Sequence, residues 1–141
     1  MTSSNDDVST ARKFFDACES GKGWAGCSAF CHDDATFACQ ADALAEIGTL
    51  EAYTEWMAGL FTPMPDARYE VMAFSRDPDT DRVTAVGVFH ATHTGDGGPV
   101  PPTGKSLTAD YVYVMDFDDG RIAHMTKIWN DGYSLRQVGW M

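Results

Sequence analysis

The chain has 141 residues, 44% of them hydrophobic and 12% aromatic. That length and composition suit one globular domain with a sizeable core and exclude a disordered chain. The net charge is −11, and no basic run exceeds Arg12-Lys13, which excludes nucleic acid as a partner.

The first seven residues carry neither the basic region nor the apolar stretch of a signal peptide, and no apolar run reaches the roughly 18 residues of a membrane span. A cytoplasmic protein with no membrane partner is expected. Cys18, Cys27, Cys31 and Cys39 are then expected as free thiols. Cys27 and Cys31 share a face if their segment is helical. Their spacing is not that of a zinc site, and His32 does not complete one, so neither a metal nor a cofactor is expected.

Residues 1–7 read as a flexible lead-in to a single domain over 1–141. Val8, Ala11, Phe14, Phe15 and Cys18 recur at helical spacing and predict a first helix over 8–20, capped by Ser9 or Asp7 and stopped by Gly21 and Gly23. A short second helix is predicted over 24–31, broken by Asp33-Asp34, and a short strand over 35–39. Thr49 caps a third helix over 49–61, with Tyr53, Trp56, Met57 and Leu60 on one stripe; Pro63 and Pro65 end it.

Strands follow. Residues 68–76 alternate, and 82–94 are rich in β-branched side chains. The turn residues of 77–81 join these two as a hairpin. A Gly/Pro loop over 95–104 leads to a long strand over 106–117. Asp118-Asp119-Gly120 is a tight-turn signal, and the last strand runs over 121–130, antiparallel to its predecessor. Helices first and strands second predict an α+β fold. Tyr111-Val-Tyr-Val-Met115 is apolar on both faces. One face meets the helices, and a second subunit is the simplest cover for the other, so a homodimer is expected.

Three short helices before a curved antiparallel sheet resemble the nuclear transport factor 2-like cone. Thr92-His-Thr-Gly95, Pro102-Thr-Gly-Lys105, Asp119-Gly-Arg-Ile122 and Leu135-Arg-Gln-Val-Gly139, in that order, resemble the SnoaL-like polyketide cyclase family across nearly the whole chain. That resemblance implies ring closure by aldol chemistry without a cofactor, with a carboxylate as base near the end of the last strand. Counting back from Gln137-Val-Gly139 sets Asn130 at the acidic position. A register shift of one sets Asp131 there, and neighbouring strand residues face opposite ways. Asp33-Asp34-Ala35-Thr36-Phe37 resembles a run in ketosteroid isomerases. Cys39 stands where their base would fall, and Phe14 or Phe15 where their oxyanion-holding Tyr would, which argues against steroid isomerisation.

The expected pocket lining is Trp24, Phe37, Trp56, Tyr111, Tyr113 and Trp129, an aromatic wall for a small, flat, apolar molecule. Asp131 is the expected general base, with His90 or Tyr113 steadying an enolate oxygen. Asp110, Cys39 and Asn130 complete the candidate binding set. His93 is expected to be structural. His124 and Lys127 face opposite ways, so one of them reaches the pocket. Two functions remain open: a cofactor-independent lyase, isomerase or cyclase acting on a small carbonyl compound, or a non-catalytic ligand-binding or dimerisation module on the same fold.

Overall fold

The computed structural model describes residues 4–141. Four helices pack on a five-stranded sheet of order β1-β5-β4-β3-β2. The first helix, α1 (Ser4–Glu19), begins earlier than expected. Residues 4–7 of the expected lead-in are therefore helical, and residues 1–3 lie outside the described residues. Ser9 and Asp7 fall inside the helix rather than at its cap. Asp7 is buried with its carboxylate 3.9 Å from the Arg76 guanidinium.

The second helix, α2 (Gly23–Cys27), is shorter than expected. A 3-10 turn (Ser28–Phe30) follows it, and β1 (Cys31–Cys39) starts at the cysteine that was expected to end the helix. Asp33 and Asp34 do not break the chain; they lie within β1 with exposed side chains. Cys27 and Cys31 therefore share no helix face, and the Cys31 thiol instead donates to the Cys27 carbonyl at 3.5 Å. The third helix, α3 (Leu50–Leu60), is capped as expected, the Thr49 hydroxyl accepting from the Ala52 N–H at 3.1 Å.

The remaining strands are β2 (Arg68–Asp77), β3 (Arg82–Thr92), β4 (Ser106–Asp118) and β5 (Arg121–Trp129). They form an antiparallel meander, and β1 joins β5 in parallel. Register shifts at Val71/Ala73 and Asp116/Phe117 bend the sheet into a trough. Its concave face carries Ala85, Phe89, Ala109, Tyr111, Tyr113, Met115 and Met125, all buried under α1 and α3. A fourth helix, α4 (Asp131–Val138), closes the end of the trough, with Gly139 at φ 81° turning the chain out. No helix among the described residues is long and apolar enough to cross a membrane.

Candidate active site

Between the sheet, α3 and α4 lies a cavity of about 270 Å³. Its walls are apolar: Trp56, Met57 and Leu60 from α3, Phe89, Leu107 and Trp129 from the sheet, and Leu135, Val138 and Trp140 from the C-terminal segment. Trp56 and Trp129 meet edge to face with centroids 6.1 Å apart. Into this lining project Glu19, Tyr111 and Lys127.

Glu19 ends α1. It follows Phe15 by four residues, so helix geometry aims it at the core with Phe15, and it is 1% exposed. Lys127 alternates with Met125 and Trp129 on the inner side of β5 and is 7% exposed. Two phenols join them. The Lys127 ammonium donates to the Tyr53 hydroxyl at 2.9 Å, the Tyr53 and Tyr113 hydroxyls share a hydrogen bond at 2.5 Å, and Tyr113 donates to Glu19 Oε2 at 2.5 Å. Because Tyr113 gives its only proton to Glu19, Tyr53 must donate to Tyr113. The hydrogen bonds thus run in one direction, from amine to carboxylate. Concerted movement of protons along them transfers one proton without water.

Burial pushes the Glu19 carboxyl above its ordinary range, against the pull of Lys127. Burial likewise holds the Lys127 amine below its ordinary value, against the opposing pull of Glu19. Both shifts move the pair toward its neutral forms. The Lys127 nitrogen also lies 4.5 Å from the Trp129 ring centroid and 5.0 Å from that of Tyr53, so π faces supply part of the solvation that water would give. The Tyr111 hydroxyl is buried beside the Glu19 carboxyl and helps to hold its charge, without a hydrogen bond of ordinary geometry to any partner. A polar group in that condition, lining a cavity, suits a ligand atom.

The fold matches solved structures closely. AclR of Streptomyces galilaeus, a candidate hydroxylase, is 20% identical with a TM-score of 0.79, over 99% of this chain and 84% of AclR. IdmH of Streptomyces antibioticus, a candidate polyketide cyclase, is 23% identical with a TM-score of 0.73, over 94% and 98%. A candidate SnoaL-like polyketide cyclase from Jannaschia sp. CCS1 is 18% identical with a TM-score of 0.77, over 98% and 96%. No curated protein matches the chain. The SnoaL-like domain family matches residues 11–125.

The chain belongs to the SnoaL-like domain family.

Its fold is the nuclear transport factor 2-like α+β fold of that family. Of the residues expected to form a site, this SnoaL-like chain gathers Trp56, Tyr111 and Trp129 around the cavity. Tyr113 lies behind them as the link between Glu19 and Tyr53. Phe37 is buried one layer further back, stacked on Tyr53 at 4.4 Å, and Trp24 packs half-buried against the core. Neither borders the cavity.

His90 lies on the other face of the sheet, 3.0 Å from Glu70 and 3.3 Å from Thr108. Strand parity explains this: Phe89 takes the inner position, so His90 must point out. Asp110 is outward by the same rule, beside the inward Ala109 and Tyr111. His93 is fully buried and accepts from the Trp140 indole N–H at 2.9 Å, tying the C-terminus to the loop after β3.

The end of the last strand resolves differently from either register. Asn130 caps α4, its side chain accepting from the Tyr133 N–H at 3.1 Å. Asp131 opens that helix and accepts from the Ala43 and Gly132 N–H groups, each at 2.9 Å. Both border a separate, wider recess with Cys39, at the ends of β1 and β5. Lys127 and Trp129 stand between that recess and the cavity.

Of the pair His124 and Lys127, it is Lys127 that reaches the cavity. Glu19 was missed by sequence reasoning. Its signal was a carboxylate on the stripe of Ala11, Phe15 and Cys18, at a position where helix periodicity calls for an apolar residue.

Proposed function

We propose that this SnoaL-like protein is a cofactor-independent cyclase or isomerase acting on a small, largely apolar carbonyl compound, with Glu19 and Lys127 as its acid–base pair. The observation that carries this reading is the meeting of a buried carboxylate and a buried amine in an otherwise apolar cavity, joined through Tyr113 and Tyr53. Burying two ionisable groups costs stability, and a fold keeps them where chemistry needs them. The volume sits just below the usual range of small-molecule sites, about 300–1,000 Å³, which suits a one- or two-ring substrate lying against Trp56 and Trp129.

In this reading the substrate oxygen faces the Lys127 ammonium and the Tyr111 hydroxyl. Glu19 removes a proton from the carbon next to the carbonyl, and its raised pKa brings it nearer neutral pH, where a general base works best. Charge developing on the oxygen is held by Lys127 and Tyr111 in a site with little water. The resulting enolate closes a ring on a second carbonyl or takes its proton back at another carbon.

The same reading includes a homodimer. Val86, Val88, Val112 and Val114 remain half exposed on the outer face of β3 and β4, and Ile128 is 59% exposed beside them on β5. A second copy covers such a face.

The test of activity is hydrogen–deuterium exchange at the α-carbon of an aryl β-diketone in D2O. The wild type is expected to catalyse exchange, and Glu19→Gln to lose on the order of 10²–10⁴-fold in rate while still binding the diketone. Binding by both proteins without exchange by either would establish the non-catalytic binding module instead.

A further inference from the structure

We infer that Lys127 is a carbonyl-capturing nucleophile: it condenses with an aldehyde or ketone held in the cavity to give an imine. The inference rests on the proposed reading that Lys127 meets the substrate carbonyl, and it adds a covalent step. Four observations bear on it. Lys127 is the one buried lysine among the described residues; Lys13, Lys22 and Lys105 are all exposed. Its amine borders the cavity and stands over the Trp129 face, on the wall that a flat carbonyl compound would contact. Its one hydrogen-bonded partner is a hydroxyl, Tyr53, and no carboxylate lies within ion-pairing distance among the described residues. The relay through Tyr53 and Tyr113 ends on Glu19, so the proton that leaves the ammonium has a buried acceptor.

The chemistry balances with these groups alone. The relay carries a proton from Lys127 to Glu19, leaving a neutral amine and a carboxylic acid. The nitrogen lone pair adds to the carbonyl carbon as the carbonyl π pair moves to oxygen, which takes the Glu19 proton. The nitrogen loses a proton back to Glu19 through the relay, giving a neutral carbinolamine. The nitrogen lone pair then forms the C=N bond as the C–O bond breaks and the hydroxyl leaves as water with the proton from Glu19. The remaining N–H proton passes through the relay to the Glu19 carboxylate, giving the imine; the net change is carbonyl plus amine to imine plus water. The Tyr111 hydroxyl, at the cavity wall beside Glu19, suits the carbinolamine oxygen during this passage. A protonated imine withdraws electrons from the neighbouring carbon more strongly than a carbonyl does, so the step serves the same proton abstraction.

The experiment is reductive trapping of the full-length protein with benzaldehyde and cyanoborohydride at neutral pH, read by intact mass and peptide mapping. The result expected is one benzyl group, on Lys127, formed about tenfold or more faster than on Lys13, Lys22 or Lys105, as expected of a lysine in an apolar pocket beside a bound carbonyl. Lys127→Met removes that label and leaves slow surface labelling, and Glu19→Gln slows labelling at Lys127. Mapping on the wild type locates the label even if Lys127→Met does not fold. Labelling of the surface lysines with Lys127 untouched overturns the inference. If α-carbon exchange still depends on Glu19 in that case, the acid–base reading stands without the covalent step. Loss of both trapping and exchange overturns both.

Discussion

Glu19 and Lys127 are the side chains whose surroundings least resemble those of an ordinary surface charge, and their environment sets the first prediction. The folded pKa of Glu19 is raised above the ordinary 4.5. The base form, and with it α-carbon exchange, therefore grows as pH rises through that raised value. Tyr113→Phe deletes the donor to Glu19 and so destabilises the carboxylate further. The acidic limb of the pH–rate profile is expected to move to higher pH in Tyr113→Phe, at a stability cost of about 1–3 kcal/mol for the unpaired polar atoms left behind. An unmoved limb would mean that Glu19 does not govern the rate. Gly87 supplies a second test. A Cβ there would lie 2.8 Å from the Tyr111 ring carbon and hydroxyl and 3.1 Å from Phe15. Gly87→Ala is expected to displace Tyr111 into the cavity, cost about 1–3 kcal/mol in urea denaturation, and weaken diketone binding. At this scale the sequence was only partly legible. Trp56, Tyr111 and Trp129 were found because strand and helix periodicity place them. Glu19 was passed over because an apolar stripe is read for its apolar members. His90 was expected inward because its apolar neighbours hide which of two alternating positions it holds.

Elements that depend on one cap or one boundary were the ones missed or misplaced. α4 spans eight residues, and its apolar positions Leu135 and Val138 are too few to announce a helix. What makes it a helix is local: Asn130 caps it and Gly139 ends it. Asn130→Ala is expected to cost about 1 kcal/mol by chemical denaturation. Leu135 and Val138 line the cavity, so the same change is expected to weaken diketone binding as well. Loss of stability without loss of binding would show that α4 does not shape the site. The boundary between α2 and β1 was set too late for a similar reason. Cys27, Phe30 and Cys31 fit a helical stripe, and only parallel pairing of β1 with β5, from Cys31↔Ile122 onward, overrides it. Such pairing joins residues some ninety positions apart, beyond what a local pattern contains. The long strands and their two hairpins were legible because alternation and turn residues are local.

For the whole molecule, the buried pair is a cost that the fold carries for its site. The raised pKa of Glu19 means that its favourable contribution is present below 4.5 and lost as pH rises through the folded value. The lowered pKa of Lys127 means that its contribution is present above 10.5 and lost as pH falls through the folded value. Both penalties therefore act near neutral pH. The double variant Glu19→Gln/Lys127→Met is expected to be more stable than the wild type there by about 1–4 kcal/mol, with the gap narrowing toward either extreme. Urea midpoints across pH check this, and a large loss of stability would mark the pair as structural. The proposed dimer is tested by light scattering: Val112→Glu on the uncovered face is expected to yield a monomer, and an unchanged mass would refute that interface. On the proposed mechanism the reacting groups lie inside the cavity, at Glu19 and Lys127, and not at the rim, where Asp131 holds two backbone N–H groups. Side-by-side rates of α-carbon exchange in Glu19→Gln and Asp131→Asn test it most directly. Exchange is expected to be lost in the first and kept in the second; exchange kept in Glu19→Gln and lost in Asp131→Asn would move the chemistry to the rim.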